Sequence, residues 1–523
     1  MDTKALRQKI LDLAIRGKLV PQDPNDEPAE VLLERIREQK QQMLKEGKLK
    51  KKDIKNDTII FKGEDNLHYE KFQDGTVKCI EDEIPFEVPE GWAWARFLAI
   101  TINRDSERKP ISASQRTDVE KIYDYYGASG KIDKIDKYIF DEKLLLIGED
   151  GANLVTRSKP IAFFAEGQYW VNNHAHCIDS TDKLILEYLC LYINAISLEK
   201  YVTGSAQPKM TQDNMNSILI ALPPYEEQKR LEFQVNHILK TVSTIENEKE
   251  DIVNYIISAK SKILDLAIRG KLVPQDSNDE PASVLLERIR AEKEELIKQG
   301  KIKRDKKESI IFKGEDNSYY ENISNNTICI DEEVPFDLPD GWIWCRLKSL
   351  ADPHENSFVD GPFGSNLKTD HYTDRREVRI IQLNNIGEFT WKNNGIKYTT
   401  YSHAETLSRC KSYPGDIVIA KMMPAGRAII IPDIEDVYVI SSDCVRLQLP
   451  NYIDKRYVMY MINSPTINKS VMKNVQGIGR TRTSLSKLKE LLVPIPPYKQ
   501  QCQISATFDK SLFYFDTINA LCE

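Results

Sequence analysis

The sequence predicts an α+β protein: two globular α/β domains separated by long antiparallel coiled-coil helices, with the two halves related by a pseudo-two-fold internal repeat. Three observations predict it. A 29-residue block, Lys9 to Arg37, returns at Lys262 to Arg290 with only Pro24/Ser277 and Glu30/Ser283 changed. Apolar residues at Leu231, Val235, Ile238, Val242, Ile245, Ile252, Ile256, Ala259, Ile263 and Leu266 alternate steps of four and three, with Lys249 at the one polar position. Between the repeated blocks lie two segments, 97–203 and 347–476, with no evident similarity to each other.

The repeat continues past its first block as FKGEDN (Phe61 to Asn66, Phe312 to Asn317) and as IPFEVPEGWAWAR (Ile84 to Arg96) against VPFDLPDGWIWCR (Val334 to Arg346). It resumes at Pro223, Pro224, Tyr225 and at Pro496, Pro497, Tyr498. A unit this long is no solenoid, whose repeats run about 20–50 residues. It reads as two equivalent scaffolds carrying two different inserts.

The four-three alternation is an a/d heptad seam; a lone amphipathic helix on a globular core shows a wider stripe and a period nearer 3.6. The C-terminal tail repeats the seam at an offset of 273, with Ile504, Phe508, Ser511, Phe515, Ile518 and Cys522 in the places of Leu231 to Lys249. The N-terminus supplies the remainder at an offset of 253, Thr3, Leu6, Ile10 and Leu13 matching Ile256 to Leu266. The pattern is that of a two-fold ring cut open within one of its two long helices, so the termini are expected close together. Charged residues at Glu226, Glu227, Lys229, Arg230, Glu246, Glu248 and Glu250 are expected on a solvated helix face.

Along the chain, a helix over Leu6 to Arg16 stops at Gly17, a natural left-handed terminator. Pro28 opens a second helix, since proline suits a first turn, and Gly47 ends it near Glu46. A basic tract, Lys48 to Lys55, follows as a linker. In the first insert Tyr138 to Ile147 and Ile161 to Phe164 read as strands and Ile185 to Ile196 as a helix. In the second, Val378 to Ile381, Asp416 to Ala420, Ala428 to Ile431 and Tyr438 to Ile440 read as strands, and Arg456 to Ile462 as a helix. The expected division is 1–82, 83–224, 225–332, 333–497 and 498–523.

The 523 residues carry a net charge of −7, yet residues 346–498 hold 21 Lys and Arg against 15 Asp and Glu, while 96–213 hold 15 against 17. A nucleic-acid reader needs a local basic face rather than a basic total. No apolar run approaches a membrane span, and MDTKALRQKI lacks the apolar region of a secretion signal. Nine scattered cysteines without a CxxC pair then point to reduced thiols and a cytoplasmic location.

The PEGW and PDGW lead-ins (Pro89 to Trp92, Pro339 to Trp342), YYGASGKID (Tyr125 to Asp133), GEDGANL (Gly148 to Leu154) and ALPPYEEQKRLE (Ala221 to Glu232) resemble a type I restriction–modification specificity subunit. GPFGSNL (Gly361 to Leu367), PGDIVIAK (Pro414 to Lys421) and PIPPYKQQ (Pro494 to Gln501) extend the resemblance over essentially the whole chain. It implies a DNA-recognition subunit with two target-recognition domains, each reading half of a bipartite, asymmetric site. The coiled coils would set the spacer and dock the partners. Those partners are double-stranded DNA, two methyltransferase subunits and restriction/translocase subunits, with no membrane. No cofactor is expected on this chain; S-adenosylmethionine, ATP and Mg belong to the partner subunits.

The competing reading is a self-contained methyltransferase or nuclease. Pro-Pro-Tyr ends the motif with which amino-methyltransferases hold a target amine, but Leu222 and Ile495 stand where a hydrogen-bonding residue is needed. A proline-defined strand-to-helix turn explains both copies. Gly127 to Lys131 lacks the spacing of a phosphate-binding loop. His174 and His176 suggest a metal but bring no evident third ligand. Asp105, Glu107 and Lys109 form a string that a nuclease could use, and more commonly a surface loop. A further alternative is a scaffold that joins proteins through its coiled coils.

Base readers are therefore expected on insert loops, as Arg, Lys, Asn and Gln able to make paired hydrogen bonds to base edges. The offset of 273 aligns two loops just upstream of Pro-Pro-Tyr: one with Gly204, Gln207 and Lys209, the other with Gly477, Gly479, Arg480 and Arg482. Further candidates are Ser129, Lys131, Asn153, Arg157, Ser365, Asn366, Lys368, Lys421 and Arg427.

Overall fold

A computed structural model describes residues 2–117, 120–204, 207–305, 308–324, 326–423, 425–473 and 482–522. The chain forms two compact units, Met1–Lys249 and Glu250–Glu523.

In the first unit the N-terminal helix (Thr3–Ile15) is capped by Asp2, whose carboxylate accepts from the Ala5 amide at 2.9 Å. It ends at Gly17 with φ +64°. A second helix, Ala29–Lys45, leads to a three-stranded antiparallel meander of Ile59–Lys62, His68–Lys71 and Val77–Cys79. Then comes the join between frame and insert. Ala93–Arg96, just before the insert, pairs antiparallel with Leu219–Leu222, just after it. This two-stranded clasp brings both ends of the insert to one place. Pro223 and Pro224 turn the second strand directly into the central helix, Tyr225–Ile268.

Inside the clasp, one four-stranded antiparallel sheet runs in the order Ala162–Ala165, Leu144–Gly148, Ala175–Asp179, Ile102–Asn103. A second sheet runs in the order Gly130–Ile135, Tyr123–Gly127, Gln168–Val171, Phe140–Asp141, its middle pair parallel. The central strand, LLLIG, is apolar throughout because both its faces are covered. Leu144 and Leu146 pack toward the second sheet with Tyr169 and Cys177; Leu145 and Ile147 pack against the helix Lys183–Ala195. The expected single strand Tyr138 to Ile147 is in fact two, Phe140–Asp141 and Leu144–Gly148, in different sheets. Glu142 and Lys143 carry the chain from one layer to the other.

The second unit has the same plan. The frame supplies the helix Ala282–Lys298, a meander (Ser309–Lys313, Tyr319–Ile323, Asn326–Cys329), a clasp of Ile343–Arg346 with Leu492–Ile495, and the C-terminal helix Tyr498–Cys522. Its insert holds a sheet in the order Phe358–Asp360, Cys444–Leu447, Ile417–Ala420, Ala428–Ile430, backed by the helix Lys455–Asn463. A five-stranded sheet packs on the other side, its pair Val378–Ile381 and Tyr438–Ile440 again parallel. Inserts without evident sequence similarity thus share one topology.

Each unit also contains its own helix pair. The N-terminal helix runs antiparallel to the first half of the central helix: Arg7 reaches Glu246 (2.6 Å) and Ser243 (2.8 Å), while Gln22, just past the helix, reaches Glu227 (2.8 Å). In the second unit the C-terminal helix runs antiparallel to the second half, with Lys260 beside Asp516 and Gln500 at the opposite end near Gln275 through Trp342. Of the seam residues, Leu231, Val235, Val242, Ile256, Ile504 and Phe508 are buried and Ile238, Ile245 and Phe515 half-buried. Ile252 and Ile518 are exposed within their unit. Glu227 departs from the solvated face expected of it. It is buried, because the Trp92 indole and Gln22 fold over it.

Candidate nucleic-acid interface

In both inserts the central strand of the helix-backed sheet ends at the same backbone junction. The Glu149 amide donates to the His174 carbonyl at 2.9 Å, and the Glu149 carbonyl accepts from the Met210 amide at 2.8 Å. In the second unit the Lys421 amide donates to Asp443 at 2.8 Å, and its carbonyl accepts from Thr483 at 2.9 Å. Met210 and Thr483 lie at the offset of 273 that aligned the two candidate loops. The first loop is thereby fastened to a strand end, and in the second unit Thr483 is fastened in the same way.

In the first unit the loop closes on itself, with Thr203 and Lys209 exchanging backbone hydrogen bonds at 2.9 and 2.8 Å. Gln207 within the loop and Lys209 at its closure are both exposed. The Ser129 turn comes to the same place: a Cβ added at Gly148 would lie 2.6 Å from the Ala128 carbonyl oxygen, so only glycine permits the approach. Lys131, on the neighbouring strand, pairs with Asp124 at 2.6 Å.

Beneath the loop lies a compact charge network. Glu149 pairs with Arg108 at 2.6 Å and with Lys209 at 3.1 Å. Asp105 accepts from His176 Nδ1 at 2.6 Å and from the Cys177 amide at 2.7 Å, with Arg108 3.4 Å away. His176 Nε2 meets the Met210 carbonyl at 3.0 Å. Burial alone would push both carboxyls up. The hydrogen bond from His176 and its charge, with that of Arg108, outweigh this for Asp105; the Arg108 hydrogen bond leads for Glu149; and both sit below the ordinary carboxyl value. His174 turns instead to Asp150 at 2.7 Å. The two histidines therefore serve different acids, and no group of three or more metal-binding side chains occurs among the described residues.

The second unit reverses the charge at the junction. Lys421 is buried and its ammonium pairs with Asp360 at 2.6 Å. Arg482 donates to the Ser442 carbonyl at 2.8 Å and lies 3.7 Å from Asp443. Gly361 opens the loop bearing Ser365, Asn366 and Lys368, and a Cβ there would lie 1.8 Å from the Ser441 carbonyl oxygen. Asn366 is held through its carbonyl by His403 at 2.9 Å. Arg427 lines a cavity of about 470 Å³ with Met423, Asn468 and Lys469. Gly477, Gly479 and Arg480 lie outside the described residues.

Three of the expected donors are engaged inside the fold. Arg157, in a left-handed conformation, donates to the Ile193 and Asn194 carbonyls and so caps the sheet-backing helix. Burial lowers its affinity for a proton. Asn153 accepts from the Lys159 amide at 2.9 Å and from Ser158 at 3.1 Å, closing its own turn. Lys421 is the third. In their place the structure brings forward Arg108, Glu149 and Asp105. Asp105 stood in the sequence as part of an apparent nuclease string; nothing local announced that its partner would be a histidine 71 residues away.

The family model described as type I restriction modification DNA specificity domain matches residues 101–259 and 373–520, more than half of the chain. The chain belongs to that family. The specificity subunit of the type I restriction enzyme EcoEI from Escherichia coli is 26% identical over 598 aligned residues, covering 97% of this chain and 88% of the relative. That of EcoAI, also from Escherichia coli, is 28% identical over 594, with the same coverage. A solved chain from a study of complex assembly and conformational transition of the type I R-M system covers 84% of this chain and 94% of its own length, at 14% identity and a TM-score of 0.49. As a type I specificity subunit, the chain is a DNA-recognition component without a catalytic role of its own. No helix among the described residues is long and apolar enough to cross a membrane.

Proposed function

We propose that the two inserts of this specificity subunit, within domains 83–224 and 333–497, each read one half of a bipartite, asymmetric double-stranded DNA target. Gln207, Lys209, Ser129 and the strand residue Lys131 in the first, and Arg482, Ser365, Asn366, Lys368 and Arg427 in the second, are the side chains that make that contact in this reading. Two methyltransferase subunits dock on the frame and its helices, and restriction/translocase subunits complete the complex in the cytoplasm. S-adenosylmethionine, ATP and Mg enter with those partners.

One observation carries this reading. The same strand-end junction is built twice, by backbone hydrogen bonds that do not depend on side chains, and carries Glu149 and Lys209 in one unit but Lys421 and Arg482 in the other. A constant backbone with exchanged donors is what two readers of different sequences require, since base identity is read by side-chain hydrogen bonds while the frame contributes position. The clasp gives the modularity a physical basis, because both ends of each insert leave the frame side by side.

The test is the methylome of cells expressing the chain with its methyltransferase, before and after residues 97–203 are exchanged for the matching segment of a relative. One half of the methylated site should change and the other persist. A change in both halves would mean that the inserts read jointly.

A further inference from the structure

Glu149 and Lys421 occupy the same backbone position, and both are at least nine-tenths buried. Their side chains act in opposite senses. Glu149 receives Arg108 on one oxygen and the loop residue Lys209 on the other, at 2.6 and 3.1 Å. Lys421 turns its ammonium to Asp360, and the loop residue Arg482 is turned to the Ser442–Asp443 corner instead. Lys209 is half-exposed and its backbone is already fixed by Thr203, so one freedom remains, the direction of a long flexible side chain. A lysine ammonium is a point charge on a four-carbon stem, without the preorganised fork of arginine, and left alone it seeks phosphate from many directions. A carboxylate whose other oxygen is anchored to the part-buried Arg108 removes that freedom.

We propose that Glu149 is a positioning residue for DNA reading: it holds the Lys209 ammonium at one point on the face of the first domain, so that Lys209 discriminates bases rather than gathering phosphates. The proposal deepens the reading of the Gln207–Lys209 loop as a DNA contact and rests on it. In the second domain the exchange of carboxylate for ammonium removes the anchor, and Arg482, whose planar guanidinium carries its own direction, does not need one.

The experiment uses the chain assembled with its methyltransferase subunits. The probes are duplexes carrying the methylated target, the target with single substitutions in one half or the other, and random duplex. With Glu149→Gln, which keeps an acceptor for Arg108 but removes the charge, the penalty for a mismatch in the first half-site should fall about tenfold, in the range one base contact supplies. Affinity for random duplex should rise, and its dependence on log salt should steepen by about one, the mark of one more phosphate neutralised. The second half-site should be untouched. Glu149→Gln combined with Lys209→Met should match Lys209→Met alone.

If Lys209→Met relaxes the first half-site but Glu149→Gln does not, Lys209 reads without its anchor and the proposal fails while the loop reading stands. If Lys209→Met moves neither half-site, the loop reading itself fails, and the proposal with it. Should Glu149→Gln not fold, Lys209 variants decide the matter. Lys209→Arg, which still reaches the carboxylate, should keep the discrimination that Lys209→Gln loses; equal behaviour of the two would overturn the proposal.

Discussion

The Trp92 indole donates to the Glu227 carboxylate at 2.9 Å, and in the second unit the Trp342 indole donates to the Gln500 amide oxygen at 2.8 Å. The same hydrogen bond, between the insert's lead-in and the first turn of a long helix, is thus made once to a charged acceptor and once to a neutral one. Gln22 and Gln275 add the equivalent second contact in each copy. The frame tolerates either residue because the oxygen, and not the charge, is what the indole needs.

The charge has a cost that pH reveals. Burial raises the Glu227 carboxyl above its ordinary 4.5, against the hydrogen bonds from Gln22 and Trp92 and the charge of Arg230. A raised carboxyl binds its proton more tightly folded than unfolded. Stability is therefore greatest below the ordinary value, falls as pH rises toward the folded value, and stays lower above it. Glu227→Gln should stabilise the first unit at neutral pH by about 1 kcal/mol, some 2–4 °C, and give no gain below about pH 4. Calorimetry at both pH values checks it; equal shifts at the two would show that the carboxyl is not the cause.

Gly17 and Gly270 end equivalent helices with φ +64° and +67°, and a Cβ on either would meet the ring of Pro89 or Pro339 at 2.4 and 2.5 Å. Both the backbone and the space forbid a side chain. Alanine at either should cost about 1–3 kcal/mol from conformation alone, with the clash adding to it. Each substitution should lower the thermal transition of its own unit, read by hydrogen exchange in that unit's core strands.

Arg346 pairs with Glu321 at 2.5 Å and with Glu333 at 2.8 Å; Arg96 makes the matching bonds to Glu70 and Glu83 at 2.7 Å each. Glu321 is buried, and burial would push its carboxyl up, but Arg346 and Ser309 hold it below the ordinary value. Arg346→Met leaves that carboxylate without its main partner and should destabilise the second unit by about 3–5 kcal/mol at neutral pH. A lowered carboxyl contributes stability above its unfolded value and loses it as pH falls through the folded one. The deficit of the variant relative to wild type should therefore shrink on acidification through pH 4, which denaturant titrations across pH will show.

Much of this was legible in the sequence, and for particular reasons. Gly17, Gly47 and the proline pairs are read from backbone chemistry alone, so the helix ends and the strand-to-helix turns appear where expected. Val378–Ile381 and Tyr438–Ile440 are rich in β-branched or aromatic residues, with Arg379 the one exception, and they fold as read. Tyr138 to Ile147 misled because its apolar ends were joined across Asp141, Glu142 and Lys143, the charged residues at which the chain passes between layers. The shared topology of the inserts was invisible because a covered strand asks only for small or apolar residues: Leu145–Gly148 (LLIG) and Ile417–Ala420 (IVIA) serve the same place. The junction was hidden for a related reason. It is made of backbone groups and of partners far apart in the chain, such as Glu149 with Arg108 and Lys209, and heptad or strand periodicity does not record such pairs. Ile252 and Ile518 satisfied the heptad arithmetic yet lie exposed within their unit, because the arithmetic records spacing and not what packs over each position.

The central helix has 44 residues, which at about 1.5 Å each makes roughly 66 Å of helix. It covers more than the roughly 34 Å of one DNA turn that separates half-sites read from the same face. If the helix sets the spacer, its length and its phase are separable. Deleting seven residues within 241–254 removes about 10.5 Å but turns the remainder by only about 20°, so the seam stays in register. The unspecified spacer of the methylated target should then shorten by about three base pairs, at roughly 3.4 Å each, with both half-sites unchanged. Deleting two residues removes only about 3 Å but rotates the C-terminal remainder of the helix by about 200°, and should abolish methylation of any bipartite site. Sequencing the methylomes of cells carrying each deletion measures both effects. A seven-residue deletion that kept the original spacing, or a two-residue deletion that shortened it by a single base pair without loss, would remove the helix from its role as spacer.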